Sequence, residues 1–188
     1  MIILLHGPPQ CGKDTAKKII DDAVLTKMGY YRFGQPMKDF LKYVLKVPPA
    51  TLKLILEEEK DIPNEMLNGW TPRWVQTEIF MFMSGLFGPE ILGTIAADAI
   101  ADMPYSRFII DAGREIEVAQ LTKTYGNKLV KAISITRPGC SFEGDSREDI
   151  NFERLGIECI TIHNQYDLDM YEIQIRRAIS KWVSLKEN

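Results

Sequence analysis

The chain has 188 residues and a formal net charge of −3, with 45% hydrophobic and 26% charged residues. This length supports one sizeable hydrophobic core but is short for two, so we expect a single domain over residues 1–188. The slight acidic balance gives no global basic field, which argues against nucleic acid or an anionic membrane as a partner. Cys11, Cys140 and Cys159 lack the spacing of a metal site or a disulfide framework, so we expect a reducing, cytoplasmic setting.

The first element predicted by the sequence is a short buried strand at residues 2–5. This apolar run is too short for a signal peptide or a membrane span, and Gly7-Pro-Pro-Gln interrupts it. An amphipathic helix is predicted directly after Gly12 and Lys13, because Ala16, Ile19, Ile20 and Ala23 recur at helical spacing.

Residues 7–13 between these two elements spell G-x-x-x-x-G-K, in the strand-to-helix context of a phosphate-binding loop. Gly7 and Gly12 allow successive N–H groups to point inward, which forms an anion-binding nest at a helix N-terminus. Lys13 then reaches the β- and γ-phosphates of a nucleotide. The alternative is an ordinary Gly-rich β-to-α turn. The predicted nucleotide-binding residues here are Gly7, Pro8, Pro9, Gln10, Cys11, Gly12, Lys13, Asp14 and Thr15.

Two acidic residues are candidate Mg²⁺ ligands. Asp14 stands where Ser or Thr usually supplies a hydroxyl to the metal, and a carboxylate is also a hard oxygen ligand, acting directly or through water. Asp111 ends the apolar run at residues 107–111, where an acid can hold Mg²⁺ through a water or polarise the attacking nucleophile. For Asp111, the alternative is a cap on the following helix.

The rest of the chain alternates strands and helices, which predicts an α/β fold with a parallel sheet of about five strands and helices on both faces. Residues 36–102 are almost wholly helical and predict a large insertion on one side of the sheet. Ligands bind beyond the carboxyl ends of such strands, so residues that follow strand ends should converge there: Gly7, Gly34, Asp111 and Arg137. After the first strand, further strands are predicted at residues 30–33, 107–111, 129–135 and 157–162.

Phosphoryl transfer between two anions requires positive charge that holds both substrates. Arg73, Arg114 and Arg137 are suitably placed, with surface salt bridges as the alternative for each. Residues 137–152 form a predicted lid loop, and for Arg147 in this loop and Arg154 just after it a surface salt bridge is favoured. The aromatic residues Trp70, Trp74, Phe80 and Phe82 are predicted to lie mostly in the core, although Trp70 is also placed to stack on a base.

Several of these stretches resemble one kinase family. Gly12-Lys-Asp-Thr15 resembles the end of the phosphate loop in the bacteriophage deoxynucleoside monophosphate kinases, and the related phosphomevalonate kinases share Gly-Lys-Asp. Residues 33–38, Phe-Gly-Gln-Pro-Met-Lys, are similar to the Phe-Ala-x-Pro-Leu-Lys segment of that family. Thr71-Pro-Arg73 with Gln76 resembles the start of one of its helices. Asp111 with Arg114 resembles its Asp-x-Arg element, with one residue more between them.

The resemblance implies a three-layer P-loop kinase fold and transfer of the γ-phosphate of ATP to a (deoxy)nucleoside monophosphate, with Mg²⁺. It implies that Lys13 and Asp14 act at the phosphates and metal. The full predicted catalytic set is Lys13, Asp14, Arg73, Asp111 and Arg114, with Asp14 and Asp111 at the metal and Arg137 added to the ATP site. The predicted acceptor site comprises Gly34, Lys38, Trp70, Arg73, Gln76 and Arg114.

Two departures from the family keep other functions open. Residues 85–90 carry no arginine where that family often has one, and residues 141–145 are acidic where a lid is expected to be basic. The alternatives are a kinase of a non-nucleotide phosphate, of the phosphomevalonate or dephospho-coenzyme A type, and a nucleotide-binding regulator without transfer activity. The sequence also leaves open which bases are accepted and whether the chain forms a homodimer.

Overall fold

The computed structural model describes residues 1–145 and 147–186. Within these residues one sheet is formed by five parallel strands, namely β1 (Ile2–His6), β2 (Gly29–Arg32), β3 (Phe108–Asp111), β4 (Val130–Thr136) and β5 (Glu158–His163). Their order across the sheet is β2-β3-β1-β4-β5. The α-helices are α1 (Lys13–Ala23), α2 (Gln35–Leu45), α3 (Pro49–Lys53), α4 (Pro72–Phe87), α5 (Ile91–Asp102), α6 (Glu115–Tyr125) and α7 (Leu168–Ile179).

The two faces of the sheet each carry a hydrophobic core, because successive side chains of a strand point to opposite faces. On one face, Ile2 and Leu4 of β1 pack in the same cluster as residues of α5 and α6. On the other face, Ile3 and Leu5 pack with residues of α1 and α7. The predicted α/β fold, a parallel sheet covered by helices on both faces, is therefore confirmed.

The carboxyl ends of the central strands lie at one edge of the sheet, as the strand register shows. Asp111 at the end of β3 is opposite Leu5 of β1 and Arg32 of β2, while His6 is opposite Ser134 of β4. This alignment brings residues that are distant in sequence to the loop that follows β1.

The segment between β2 and β3 is helical, as predicted. A π-helical turn at Leu54–Glu58 follows α3, and a 3₁₀ turn covers Glu65–Leu67. Thr71 caps α4, since its Oγ1 accepts a hydrogen bond from the Trp74 N–H at 3.2 Å.

The prediction that the aromatic residues of this segment lie mostly in the core is wrong for three of them. Trp70, Trp74 and Phe82 are 49%, 41% and 67% exposed, respectively. Only one face of α4 turns to the sheet, and Phe80 packs against the core from that face together with Ile79 and Met83.

In the part of the chain that the structure describes, no single helix is long and apolar enough to cross a membrane. The adjoining segments Glu65–Phe87 and Ile91–Asp102 reach the required length and composition only together, and they are bent by 92° at their junction.

Candidate phosphate-binding site

The loop between β1 and α1 has a backbone that requires glycine at two positions. Gly7 and Gly12 have φ angles of 146° and 114°, which L side chains rarely adopt. A Cβ at Gly7 would lie 2.2 Å from the carbonyl oxygen of Ile135, and a Cβ at Gly12 would lie 2.6 Å from Asn164 Nδ2. The glycines of the predicted motif are therefore fixed both by backbone conformation and by close neighbours.

Three side chains from distant parts of the chain hold this loop. Asn164, directly after β5, donates a hydrogen bond from Nδ2 to the Cys11 carbonyl at 2.8 Å. Tyr171 of α7 donates from its hydroxyl to the Gly12 carbonyl at 3.1 Å, and Arg137, after β4, donates from Nη1 to the Gln10 carbonyl at 3.3 Å. These side chains all bind loop carbonyls, so none of them occupies a loop N–H group.

Cys11 contributes to the packing of the loop rather than to its exposed surface. Its side chain is buried in the core beneath the loop, together with Ala16 and Tyr171. Burial raises the pKa of the Cys11 thiol, although the nearby charge of Lys13 opposes this. A buried thiol with a raised pKa is a poor nucleophile, so Cys11 fills space beneath the loop.

Lys13, the first residue of α1, folds back over the loop. Its Nζ donates hydrogen bonds to the carbonyl oxygens of Gly7 at 2.7 Å and Pro8 at 2.8 Å. The ammonium group is thus held by neutral acceptors at the mouth of the loop. An anion bound in the loop would be a stronger acceptor for it than these carbonyls.

Asp111 carries a buried oxygen atom, Oδ1, that has no hydrogen-bond partner among the residues the structure describes. Burial raises the pKa of this carboxyl group, and the positive charges of Lys13, Arg147 and Arg32 act in the opposite direction. A buried acceptor without a donor costs free energy unless a ligand satisfies it. Asp111 therefore has a buried acceptor oxygen that a metal ion or an ordered water would satisfy.

The residues of this region would provide Mg²⁺ with only a few protein ligands. In residues 1–145 and 147–186, no three His, Cys, Asp or Glu side chains are grouped so that they could hold a metal ion by themselves. Mg²⁺ commonly uses one or two carboxylates and completes its shell with substrate phosphates and water. Asp111 and the largely exposed Asp14 at the other side of the loop fit that pattern.

Asp14 belongs to a chain of ion pairs that leads away from the loop. Arg32 at the end of β2 donates from Nη2 to Asp14 Oδ1 at 2.9 Å, and its Nη1 lies 3.7 Å from Glu57 Oε1. Lys38 of α2 donates to the same Glu57 oxygen at 3.0 Å. The network connects the phosphate loop to the π-helical turn and to the predicted acceptor residue Lys38.

Two further arginines lie beside the site. Arg147 donates to Asp145 from Nε and Nη2 at 2.9 and 2.8 Å. Burial opposes the effect of these bonds, but they lower the Asp145 pKa to about 2. Arg73 pairs with Asp61, its Nη2 donating to Oδ2 at 3.1 Å, and the charges of Asp145 and Arg147 also shift its pKa. Arg73 and Arg147 therefore lie near each other.

The predicted lid loop, residues 137–152, is only partly a surface segment, and its Ser146 lies outside the described residues. The Arg147 side chain is only 25% exposed, whereas that of Arg154 is 71% exposed and pairs with Glu115. Both arginines thus form salt bridges, as favoured for them, and Arg147 is the more buried of the two. The loop also packs on His6, a buried residue whose Nε2 lies 3.2 Å from Asp149 Oδ1 and whose ring stacks on Phe142.

The remaining predicted acceptor residues contact their own surroundings rather than the phosphate loop. Arg114 donates to the buried Glu117 at 2.6 Å, where it forms a capping box for α6, and its guanidinium lies 3.9 Å from the Phe80 ring centre. Trp70 stacks on Trp74 with 4.0 Å between ring centres. Gln76 donates to the Pro72 carbonyl, and Gly34 precedes the first residue of α2.

The structure also brings residues to the site that the sequence analysis did not select. Arg32 and Glu57 join the network at Asp14, while Asn164 and Tyr171 hold the loop. Arg32 lies in the predicted strand at residues 30–33, and this position was the only sequence signal available for it. The other three lie in segments whose proximity depends on the tertiary fold.

Neither a protein-family model nor a curated protein sequence matches this chain. Among solved structures, it is similar to TT1252 from Thermus thermophilus, with 11% identity, a TM-score of 0.50 and coverage of 98% of each chain. It is also similar to a sugar kinase from Janibacter sp. HTCC2649, with 16% identity, a TM-score of 0.42 and coverage of 95% of this chain and 92% of the other. At 11% identity, the similarity to TT1252 indicates a shared fold only.

Proposed function

We propose that this protein is a kinase that transfers the γ-phosphate of ATP to a (deoxy)nucleoside monophosphate. The observation that carries the proposal is the loop at residues 7–13. Its glycines adopt the conformations of an anion nest, and Lys13 lies at its mouth. Its carbonyls accept hydrogen bonds from Asn164 and Tyr171. A loop of this form at a helix N-terminus is suited to the phosphates of a nucleotide.

In this proposal, the loop N–H groups and the start of α1 bind the β- and γ-phosphates of ATP. Lys13 exchanges its two carbonyl acceptors for phosphate oxygens and so places its charge on the group that is transferred. Gly7 keeps the loop close to Ile135, because a Cβ at this position would lie 2.2 Å from the Ile135 carbonyl oxygen and the backbone would have to shift.

Asp111 and Asp14 would hold Mg²⁺ at this site. When bound, Mg²⁺ would supply positive charge that neutralises the charge developing on the phosphates during transfer. The unpartnered, buried Oδ1 of Asp111 supports its part in this assignment. Asp14 can leave Arg32 at small cost because its side chain is 80% exposed and surface ion pairs contribute little stability.

The assignment of a nucleoside monophosphate as acceptor rests on the motifs of residues 33–38 and 71–76. Lys38 and Arg73 lie on the helical insertion, and each is paired with a carboxylate, Glu57 and Asp61 respectively. Arg147, beside Arg73, adds a third positive charge near Asp111. Such a group of cations can bind an acceptor phosphate opposite the phosphate loop.

The test is to incubate the protein with ATP, Mg²⁺ and each of the common ribo- and deoxyribonucleoside monophosphates, and to separate the products by ion-exchange chromatography. The proposal predicts stoichiometric ADP and nucleoside diphosphate with at least one acceptor. Tight ATP binding with no diphosphate from any acceptor would refute it. Phosphomevalonate and dephospho-coenzyme A in the same panel identify a kinase with a non-nucleotide acceptor.

A further inference from the structure

The ion-pair network beside the phosphate loop contains two cations that share one counter-ion. Lys38 Nζ and Arg32 Nη1 lie 3.0 and 3.7 Å from the same oxygen, Glu57 Oε1. Lys38 belongs to α2 and Arg32 ends β2, so two separate elements direct positive charge to one point. A carboxylate in that position has the charge and hydrogen-bonding capacity of one edge of a phosphate group.

The three side chains differ in the fraction of their surface that is exposed to solvent. The side chains of Lys38 and Arg32 are 19% and 30% exposed, while that of Glu57 is 42% exposed. The carboxylate therefore covers two recessed cations from the solvent side. If it moved away, an anion-binding site lined by these two residues would open.

The second terminal nitrogen of Arg32 shows that this site lies beside the phosphate loop. Nη2 donates to Asp14 Oδ1 at 2.9 Å, and Asp14 directly follows the loop residue Lys13. One guanidinium thus connects the phosphate loop on one side with Glu57 on the other. An anion that replaced Glu57 would lie on the acceptor side of the loop.

Glu57 is carried by a π-helical segment. It lies in the π-helical turn Leu54–Glu58, between the buried anchors Ile55 and Leu56 and the charged residues that follow. Wide turns of this kind occur often at functional sites. The hydrogen bond from Lys38 is the main cause of the lowered pKa of Glu57. The pairing therefore favours the charged form of the carboxylate.

We propose that Arg32 and Lys38 bind the phosphate group of the acceptor, and that Glu57 occupies this site as an internal substitute until the acceptor displaces it. This inference rests on the proposed function for the identity of the ligand, but not for the presence of the anion site. Glu57 then sets the acceptor concentration at which the site fills. A phosphate dianion has more charge and more acceptor oxygens than a carboxylate, so it displaces Glu57 from both cations.

The experiment measures binding of inorganic phosphate by isothermal titration calorimetry, which requires no turnover. Glu57→Gln should bind phosphate about two- to fivefold more tightly than the wild type, since one competing, partly exposed charge is removed. Glu58→Gln is the matched control, because Glu58 is next in the same turn but pairs with Lys53. It should leave the affinity unchanged.

The double variant Glu57→Gln/Arg32→Gln identifies the site at which phosphate binds. It should lose the gain in affinity because Arg32, one of the two cations of the site, is missing. The phosphate loop at Lys13 is intact in both variants, so the loop cannot account for the difference. Unchanged or weaker phosphate binding by a folded Glu57→Gln protein, or an equal gain in Glu58→Gln, overturns the inference. Glu57→Ser, which also removes the charge, replaces Glu57→Gln if circular dichroism shows that the latter does not fold.

The acceptor assay separates this inference from the proposed function. If diphosphate is formed, Glu57→Gln should lower the KM for the acceptor by the same factor and change kcat by less than about twofold. If the wild type phosphorylates no acceptor, the proposed function fails while the phosphate titration still decides on the site. If transfer occurs but neither KM nor phosphate affinity responds to Glu57→Gln, the inference alone fails.

Discussion

Asn164 donates a hydrogen bond from its side-chain amide to the carbonyl oxygen of Cys11 at 2.8 Å, across 153 residues of sequence. Its backbone N–H donates to Thr136 at 2.8 Å, so the residue is fixed at the end of β5. The same amide lies where a side chain on Gly12 would be. Asn164 thus connects the last strand of the sheet with the phosphate loop. Its position also explains why residue 12 is a glycine.

Replacing Asn164 with Ala should loosen the loop. The lost hydrogen bond should lower stability by about 1 kcal/mol, a decrease of about 2–4 °C in Tm for a chain of this size. The KM for ATP should rise several-fold because the loop carbonyl is no longer held. Asn127→Ala is the control, since Asn127 makes an equivalent bond to the Leu155 carbonyl before β4, at the opposite edge of the sheet. An equal change of KM in both variants would contradict the role of Asn164.

Asp14→Ser should reduce kcat/KM by about 10- to 100-fold, although serine is the commoner metal ligand at this position. The substitution removes one of the two carboxylates proposed to hold Mg²⁺ and leaves Arg32 without its partner at the loop, whereas stability should change little because the ion pair is exposed. Steady-state kinetics with the best acceptor measure the effect. Asp21→Ser, on the same helix and paired with Lys17, should retain wild-type kinetics. Full activity of Asp14→Ser would show that the carboxylate has no role of its own.

Asp111→Asn should make the protein more stable but inactive. The folded-state pKa of Asp111 is raised, so the folded protein binds a proton that the unfolded chain releases, and stability falls as pH rises from the unfolded to the folded pKa. Removing the charge should therefore raise Tm at about pH 7, by about 2–4 °C for each kcal/mol. The difference from the wild type should shrink as the pH falls from about 7 towards the unfolded-state pKa, because the wild-type carboxyl takes up a proton over this range. A constant difference across this range would exclude the ionised carboxylate as its cause.

The sequence predicted the parts of this structure that depend on local patterns. The loop motif, the cap at Thr71 and the apolar strands all follow from residues close together in the chain, and the strand ends predicted the position of Asp111. The contacts of Asn164 and of Arg32 with Glu57 could not be predicted, because they depend on how distant elements pack. Trp74 and Phe82 were misplaced for a related reason, since composition alone does not tell which face of α4 meets the core.

The central claim, ATP-dependent transfer through the loop at residues 7–13, is tested most directly by Lys13→Ala. Formation of nucleoside diphosphate from ATP and the best acceptor should fall by at least about a thousandfold, because the charge on the transferred group is lost. Lys18→Ala, an exposed residue on the next turn of α1, should keep wild-type rates and control for general effects on the helix. Wild-type rates of diphosphate formation by a folded Lys13→Ala protein would contradict the account.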